Sequence, residues 1–200
     1  MAKSIIFDSS NSGLRSLKCG LKRVAPDVSI EFYGQDLAKS NVIVLPCVDN
    51  FMSVTKKFEY VKNFIPIKNA EGVTLLGICP DQLLFESSKE DTNDGLTFFK
   101  DKIMRLYDTL NFSHMDGSTF NLVKSNLFNG INEEFSCTYF VCSSYPMIIN
   151  ECVMCTKTTY GITFTFSVVE KNMYDLQFQI ETSNYIDLQI LQNFAKIMLR

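Results

Sequence analysis

Short apolar runs alternate with segments of helical apolar spacing through the first ninety residues of the chain. Leu14, Leu17 and Leu21, for example, recur at the three- and four-residue intervals that place side chains on one helix face. Such alternation is typical of a mainly parallel sheet whose two faces are covered by helices. The predicted strands are Ser4–Asp8, Val28–Tyr33, Asn41–Leu45 and Gly72–Ile78, and the predicted helices are Asn11–Val24, Phe51–Phe64 and Asp81–Ser88.

The second half of the chain has a β-rich pattern. A polar stretch, Ser87–Asn93, predicts a surface loop before it, and pairs such as Asn129-Gly130 and Lys171-Asn172 predict turns. The predicted strands are Ser136–Cys142, Glu151–Thr158, Ile162–Val169 and Tyr174–Phe178, and Tyr185–Leu199 is predicted as a closing helix. We therefore expect an α/β fold, a mainly parallel open sheet flanked by helices with antiparallel strands extending one edge, in one domain over residues 1–200.

The composition narrows the functional classes. Hydrophobic residues make up 46% of the chain and charged residues 20%, which indicates a globular protein with a large core. A net charge of −3 argues against nucleic-acid binding through bulk charge. We expect no secretory signal and no membrane span, because no apolar segment is long enough. The seven scattered cysteines are an odd number and predict reduced thiols in the cytoplasm.

Cys79 is the first candidate functional residue. It ends the apolar run Leu75–Ile78, and Pro80-Asp81 follows, where we expect a helix to begin. A cysteine between a buried strand and a helix N-terminus is how α/β enzymes present a nucleophile, because the helix dipole favours a thiolate. The alternative is a small buried hydrophobic residue at a strand end. A cysteine nucleophile normally needs a histidine base, and His114 is the one histidine of the chain.

Other candidates are less specific. Cys152 and Cys155 have the spacing of a metal or redox pair, but within a strand they would point to opposite faces, so we expect packing cysteines and no metal. Glu181 follows a buried strand and precedes the last helix, where a carboxylate either caps the helix or orients a catalytic partner. His114 lies in a loop-like stretch that favours a surface position over a catalytic base. No cofactor is expected.

The chain resembles, nearly end to end, the glutaminase subunit of imidazole glycerol phosphate synthase, a triad (class I) glutamine amidotransferase. The family's nucleophile motif Leu-Gly-Ile-Cys-Leu-Gly-Met-Gln is matched by Leu76-Gly77-Ile78-Cys79-Pro80-Asp81-Gln82, and Tyr-Gly-Val-Gln-Phe-His-Pro-Glu by Tyr174-Asp175-Leu176-Gln177-Phe178-Gln179-Ile180-Glu181. Four weaker matches lie in the same order: Ser12-Gly13-Leu14, Leu45-Pro46-Cys47-Val48-Asp49, His114-Met115 and Phe140-Val141-Cys142-Ser143-Ser144-Tyr145.

The resemblance implies roles for individual residues. Cys79 corresponds to the nucleophile that attacks the side-chain amide of glutamine, and Glu181 to the carboxylate that orients the base. The base position holds Gln179, and a neutral amide cannot accept the thiol proton or return it to leaving ammonia. The substrate-binding positions implied by the family motifs are Gln82, Cys47, Val48, Ser143 and Ser144, with Gln82 matching only if the alignment shifts by one residue.

The turn after the nucleophile also departs from the family. Asp81 replaces the glycine that the tight turn requires, and Pro80 removes the N–H that usually donates to the oxyanion. An aspartate two residues from Cys79 disfavours a thiolate. The second oxyanion segment has Cys47 and Asp49 in place of two glycines. Glutamine hydrolysis by the family mechanism is therefore not expected.

Three functions remain open at this stage. The first, which we favour, is a degenerate glutaminase subunit that binds a (β/α)₈-barrel cyclase partner without supplying ammonia. The second is an enzyme of altered mechanism in which Cys79 works with Glu181 or Asp81. The third is an active ammonia donor in the synthesis of histidine or of a surface sugar. Glutamine is the implied ligand in each family-based alternative, and a heterodimer is the implied assembly.

Overall fold

A computed structural model gives the fold of the chain. It describes residues 3–6, 14–27, 29–32, 40–46, 62–78, 84–88, 97–105, 117–118, 120–121, 125–132, 138–139, 144–148, 153–160, 162–178, 180 and 185–199. Its helices there are α1 (Leu14–Val24), α2 (62–70) and α3 (Tyr185–Met198). The strands are β1 (Lys3–Ile6), β2 (Ser29–Phe32), β3 (Val42–Leu45), β4 (Thr74–Ile78), β5 (Phe85–Ser88), β6 (Phe99–Arg105), β7 (Gly117–Ser118), β8 (Phe120–Asn121), β9 (Thr138–Tyr139), β10 (Ser144–Met147), β11 (Met154–Tyr160), β12 (Ile162–Glu170) and β13 (Met173–Leu176). None of these helices is long and apolar enough to span a membrane.

The main sheet has eight strands in the order β2-β1-β3-β4-β13-β12-β11-β8. The pairs from β2 to β13 are parallel, and those from β13 to β8 are antiparallel. The expected fold class is therefore confirmed: a parallel sheet is extended along one edge by antiparallel strands. β13 is the last strand before α3, yet it lies in the middle of the sheet, where it pairs with β4.

Helices cover both faces of the sheet. On β3, Val42 and Val44 point into one apolar cluster and Ile43 and Leu45 into the other, as the two-residue period of a strand requires. The first cluster lies under α1 and α3, which contribute buried residues such as Leu21 and Phe194. The second lies under α2 and a smaller sheet, β10-β6-β5. This double coverage explains why β3 is apolar and buried throughout.

Two hydrogen bonds from one side chain fix the start of the β4–β13 pairing. Asn172, in the turn between β12 and β13, donates from Nδ2 to the carbonyls of Asn69 and Val73 at 3.2 and 2.8 Å. The backbone N–H of Leu75 in turn donates to the Asn172 carbonyl at 2.9 Å. Gly72 completes this junction with a φ of 94°, a conformation that suits glycine. The turn therefore fixes the register of the two strands whose opposite ends lead to the predicted site.

A β-bulge interrupts the alternation along β12. Residues an odd number of positions apart on this strand therefore face the same apolar cluster. The register with β11 shifts between Thr156 and Lys157, so that Phe166 of β12 has no partner of its own. As a result Phe164 and Val169 both lie in the first cluster although they are five residues apart. The hydroxyls of Thr156 and Ser167 share a hydrogen bond of 2.7 Å beside the shift, and both residues are buried.

The predicted helix Asp81–Ser88 is wrong over the part that the structure describes. Residues Phe85–Ser88 form β5, which pairs in parallel with β6, and Ser87 and Ser88 therefore belong to a strand and not to the predicted surface loop. The Phe85 ring packs on the Phe99 ring with centroids 5.1 Å apart, and both side chains are buried. Burial of this aromatic pair across two strands outweighs the local helical pattern.

Other element boundaries differ from the predictions. Of the predicted helix Phe51–Phe64, residues 51–61 lie outside the described part, and α2 continues past Phe64 to residue 70 despite Pro66. Ile65 is fully buried in the second cluster, and this packing favours continuation of the helix. The strand predicted from Gly72 begins only at Thr74. Strand β6 was not predicted, because its polar residues mask the alternating pattern.

Candidate functional site

Three adjacent parallel strands, β3, β4 and β13, end at the same edge of the main sheet. β4 lies between β3 and β13, with Leu45 beside Gly77 and Leu176 beside Ile78 in the two registers. Carboxyl ends of parallel strands in an open α/β sheet form the edge at which such folds bind ligands. Covalent connection then requires that the segments beginning at residues 46, 79 and 177 leave the sheet at this one edge.

Most of the predicted site residues lie outside the described part of the chain. These are Cys79, Gln179, Glu181, Gln82, Cys47, Val48 and Ser143, together with Pro80, Asp81, Asp49 and His114. Their roles therefore stay predictions. What the structure does describe is the strands that precede them, β3, β4 and β13, which end at Leu45, Ile78 and Leu176.

The chain on either side of residue 179 is firmly packed. Phe178 is fully buried and Ile180 is 1% exposed, and both belong to the first cluster. The described residues on both sides of position 179 therefore belong to the core beneath α1 and α3.

A buried polar pair on β13 was missed by the sequence analysis. The Gln177 Nε2 donates a hydrogen bond of 2.8 Å to Oδ2 of Asp175, and the two residues are 1% and 0% exposed. Among the described residues, Oδ1 of Asp175 has no hydrogen-bond partner. Burial raises the pKa of the Asp175 carboxyl from 3.8 to about 7, against a smaller lowering by the Gln177 hydrogen bond.

The signal for Asp175 was present in the sequence but was not used. The family motif places glycine between its tyrosine and the following apolar residue, and Asp175 stands at that place. An aspartate inside the otherwise apolar run from Met173 to Leu176 is a buried-charge candidate, because charged residues are almost never fully buried without a partner. The local sequence shows an aspartate inside an apolar run. Only the position of the strand in the sheet shows that Asp175 is fully buried.

Ser144 is the one predicted substrate-binding residue within the described part. It begins β10, opposite Arg105 of β6, in the smaller sheet and not in the sheet that carries β4 and β13. The next residue, Tyr145, packs its ring on Phe164 of β12 with centroids 5.6 Å apart. The smaller sheet is therefore attached to the antiparallel extension, and a role of Ser144 in substrate binding stays a prediction.

The described residues contain no group of three or more potential metal ligands. Cys155 lies in β11, which begins at Met154, whereas Cys152 falls outside the described part. Cys19 on α1 is an exposed free cysteine. The described residues therefore offer no metal centre as an alternative to a functional site at the strand ends.

Comparison with known proteins places this fold in a family. A scan against models of protein families finds no match. The imidazole glycerol phosphate synthase subunit HisH of Trichormus variabilis is 32% identical over 198 residues, covering 95% of this chain and 93% of its own. The HisH subunit of Methanocaldococcus jannaschii is 31% identical over 196 residues, covering 96% and 98%.

Solved structures agree at the level of the fold. PurLQS from Thermotoga maritima superposes with a TM-score of 0.74 at 13% identity, covering 100% of this chain and 99% of its own. A glutamine amidotransferase from Thermotoga maritima gives a TM-score of 0.62 at 12% identity, covering 98% and 93%. With sequence similarity that spans both chains almost completely, the chain belongs to the HisH family of class I glutamine amidotransferases.

Proposed function

We propose that this chain is a HisH-like subunit that retains the amidotransferase fold, has lost glutamine hydrolysis by the family mechanism, and acts by binding a partner. In this proposal all 200 residues form one domain in the cytoplasm. Family membership supports the subunit character, and the residues at the family's catalytic positions support the loss of chemistry.

The identity of residue 179 carries the proposal. The family motif requires histidine there, and this chain has glutamine between the buried Phe178 and Ile180. A side-chain amide has no proton-accepting site that works near neutral pH, so it cannot activate a thiol or protonate leaving ammonia. Because both neighbours are anchored in the core, another residue cannot easily take this position by a shift of the chain.

The residues after β4 support the same conclusion. Pro80 has no N–H to donate to a developing oxyanion, and Asp81 brings a carboxylate where the family has glycine. Loss of one oxyanion donor typically reduces the rate by about 10²–10³-fold. Loss of the triad histidine alone removes several orders of magnitude, although such losses are not additive.

The proposed partner is a (β/α)₈-barrel cyclase subunit in a heterodimer. The relatives are named as subunits of imidazole glycerol phosphate synthase, and the resemblance of this chain to that glutaminase implies a barrel cyclase as the other subunit. A binding role needs the fold but not the catalytic histidine, which fits a chain that has preserved its core around an altered site. The cyclase would then use free ammonia.

One observation favours an alternative, an enzyme of altered mechanism. Cys79 and Glu181 both remain at the family positions of the nucleophile and the orienting carboxylate. Such an enzyme requires a thiol that reacts quickly at neutral pH. Mass-spectrometric mapping of iodoacetamide labelling tests this, with the exposed Cys19 as internal reference. Labelling of Cys79 slower than or equal to that of Cys19 excludes the alternative.

Glutamate release is the decisive assay for the main proposal. The purified chain and its Cys79→Ala variant are compared at saturating glutamine, alone and with the barrel cyclase that co-purifies from the native cell. We expect equal background release from both, and a stable complex with the cyclase in each case. Cys79-dependent glutamate above background contradicts the loss of chemistry, and failure of a barrel cyclase to bind contradicts the proposed partner.

A further inference from the structure

Asp175 occupies the middle of the main sheet with no exposure to solvent. It lies on β13 between Gly77 of β4 and Val168 of β12 in the two registers. Its side chain has the parity of Met173, which places it on the face covered by α2 and the smaller sheet. Its register partner on β4 is Gly77, which has no side chain.

Among the described residues, the Asp175 carboxyl group has Gln177 as its hydrogen-bond donor and lies on an apolar face of the sheet. The same face carries Met173, Leu75 and Leu45, all members of the second cluster. Gln177 donates to Oδ2, and Oδ1 has no hydrogen-bond partner among the described residues. A carboxylate in such a place lacks the donors that would compensate the loss of water, which disfavours its charged form.

Eight charged residues lie on the described elements around Asp175. β4 has none, and β12 has Glu170 at its far end, opposite Met173. Lys68 of α2 is engaged with Glu71 at 2.6 Å. The charged residues on α2, β5 and β6 are Lys62, Lys68, Glu86, Lys100, Asp101, Lys102 and Arg105. None contributes to the rise in the pKa of Asp175, which is caused by burial.

We propose that Asp175 is a positioning residue that packs in the sheet as a neutral carboxyl group, and that its ionisation loosens the edge that β13 shares with β4. Gln177 links the carboxyl group to Phe178, and therefore to the segment that continues through residue 179. An ionised Asp175 is stabilised by water, and local opening where β13 leaves the sheet would admit water to it. The end of β13 then opens more readily as the pH rises toward neutrality.

The role of Asp175 does not depend on the proposed function, because it concerns the pairing of β13 with β4 and not glutamine hydrolysis. It makes β13 and the end of β4 the first described elements to open as pH rises, while α1 and α3 stay closed. A purely structural aspartate would show no such local response to pH. The Asp175→Asn variant keeps the shape and the acceptor for Gln177 but cannot ionise.

Hydrogen exchange at pH 6 and pH 8 tests the proposal. After correction for intrinsic exchange, we expect protection of peptides covering 173–178 to be about tenfold lower at pH 8 than at pH 6, because the proton-linked loss continues up to the folded pKa of about 7 and then levels off. Asp175→Asn should abolish this fall, whereas the control Asp187→Asn, another buried aspartate on α3, should preserve it. Equal wild-type protection at both pH values, or the same fall in Asp175→Asn, overturns the proposal.

A second variant covers the case in which Asp175→Asn does not fold. Asp175→Gly introduces the residue that the family motif has at this place and also removes the ionisable group. Protection of α3 in the same experiment reports whether each variant is folded. A folded Asp175→Gly protein should show no pH-dependent loss at β13, and a loss equal to that of the wild type overturns the proposal as well.

Discussion

Asp175 lies directly beside Gly77 in the parallel register of β13 and β4, so a fully buried carboxyl group stands next to a position without a side chain. The two strands are those that lead to Gln179 and Cys79. A group that titrates near neutral pH is thus built into the scaffold of the predicted site.

The first prediction concerns stability against pH. The folded pKa of Asp175, about 7, lies above its ordinary 3.8, so the folded state binds the proton more tightly. The proton on Asp175 contributes fully to the free energy of unfolding below about pH 4. This contribution is lost as the pH rises to 7. Relative to Asp175→Asn, we expect the wild type to lose up to about 4 kcal/mol of unfolding free energy between these limits.

Urea unfolding of both proteins between pH 4 and pH 8 measures this difference. The control is Asp27→Asn, since Asp27 is exposed in the turn after α1. A wild-type stability that follows the Asp175→Asn curve at every pH would show that Asp175 has no special titration.

The second prediction concerns the hydroxyl pair beside the β12 bulge. Thr156→Val leaves the buried Ser167 hydroxyl without its 2.7 Å partner, and we expect a loss of about 1–3 kcal/mol. The double variant with Ser167→Ala should recover most of this loss, because no polar group is then left unpaired. Denaturant unfolding in a double-mutant cycle measures the coupling.

A matched control lies on the same two strands. Thr159 and Thr163 share a hydrogen bond of 2.9 Å at an exposed position, so Thr159→Val should change the stability by less than about 0.5 kcal/mol. If the buried and exposed substitutions cost the same, burial is not what makes the Thr156–Ser167 bond important.

The third prediction concerns the attachment of α3. The Nδ2 of Asn193 donates to the carbonyls of Leu127 and Asn129 at 3.0 and 2.8 Å, which fastens the helix to the 3₁₀ turn Asn126–Phe128. Asn193→Ala removes both donors, and we expect it to cost about 2 kcal/mol or more. The neighbouring Gln192 is exposed, so Gln192→Ala serves as the control in thermal or urea unfolding. Equal stability of the two variants would contradict the prediction.

The fourth prediction concerns restoration of chemistry. Gln179→His alone should leave glutamate release at background, because Pro80 still removes an oxyanion donor and Asp81 still occupies the turn. Adding Pro80→Leu and Asp81→Gly should raise release by about 10²-fold or more if these residues block the oxyanion site. Cys79→Ala in the triple variant is the control. If Gln179→His alone restores full glutamate release, the substitution at residue 179 is by itself the cause of the lost activity, which would contradict the prediction.

Some helices and strands follow from the local sequence, and others depend on distant contacts. The helix at Leu14–Val24 and the strand at Val42–Leu45 follow from local periodicity, because each has one strongly patterned set of apolar residues. The strand Phe85–Ser88 was predicted as a helix, since its role depends on the distant Phe99, with which Phe85 packs. Contacts between residues far apart in sequence are not encoded in a short window.

The sequence by itself determined the family and the fold class, because motifs in fixed order and apolar periodicity are local properties of the chain. Only the tertiary structure showed that Asp175 is buried beside Gly77 and that β4 and β13 end at one edge. The physical reason is that burial, and with it the pKa of a carboxyl group, depends on which strands and helices surround a residue and not on its neighbours in the chain.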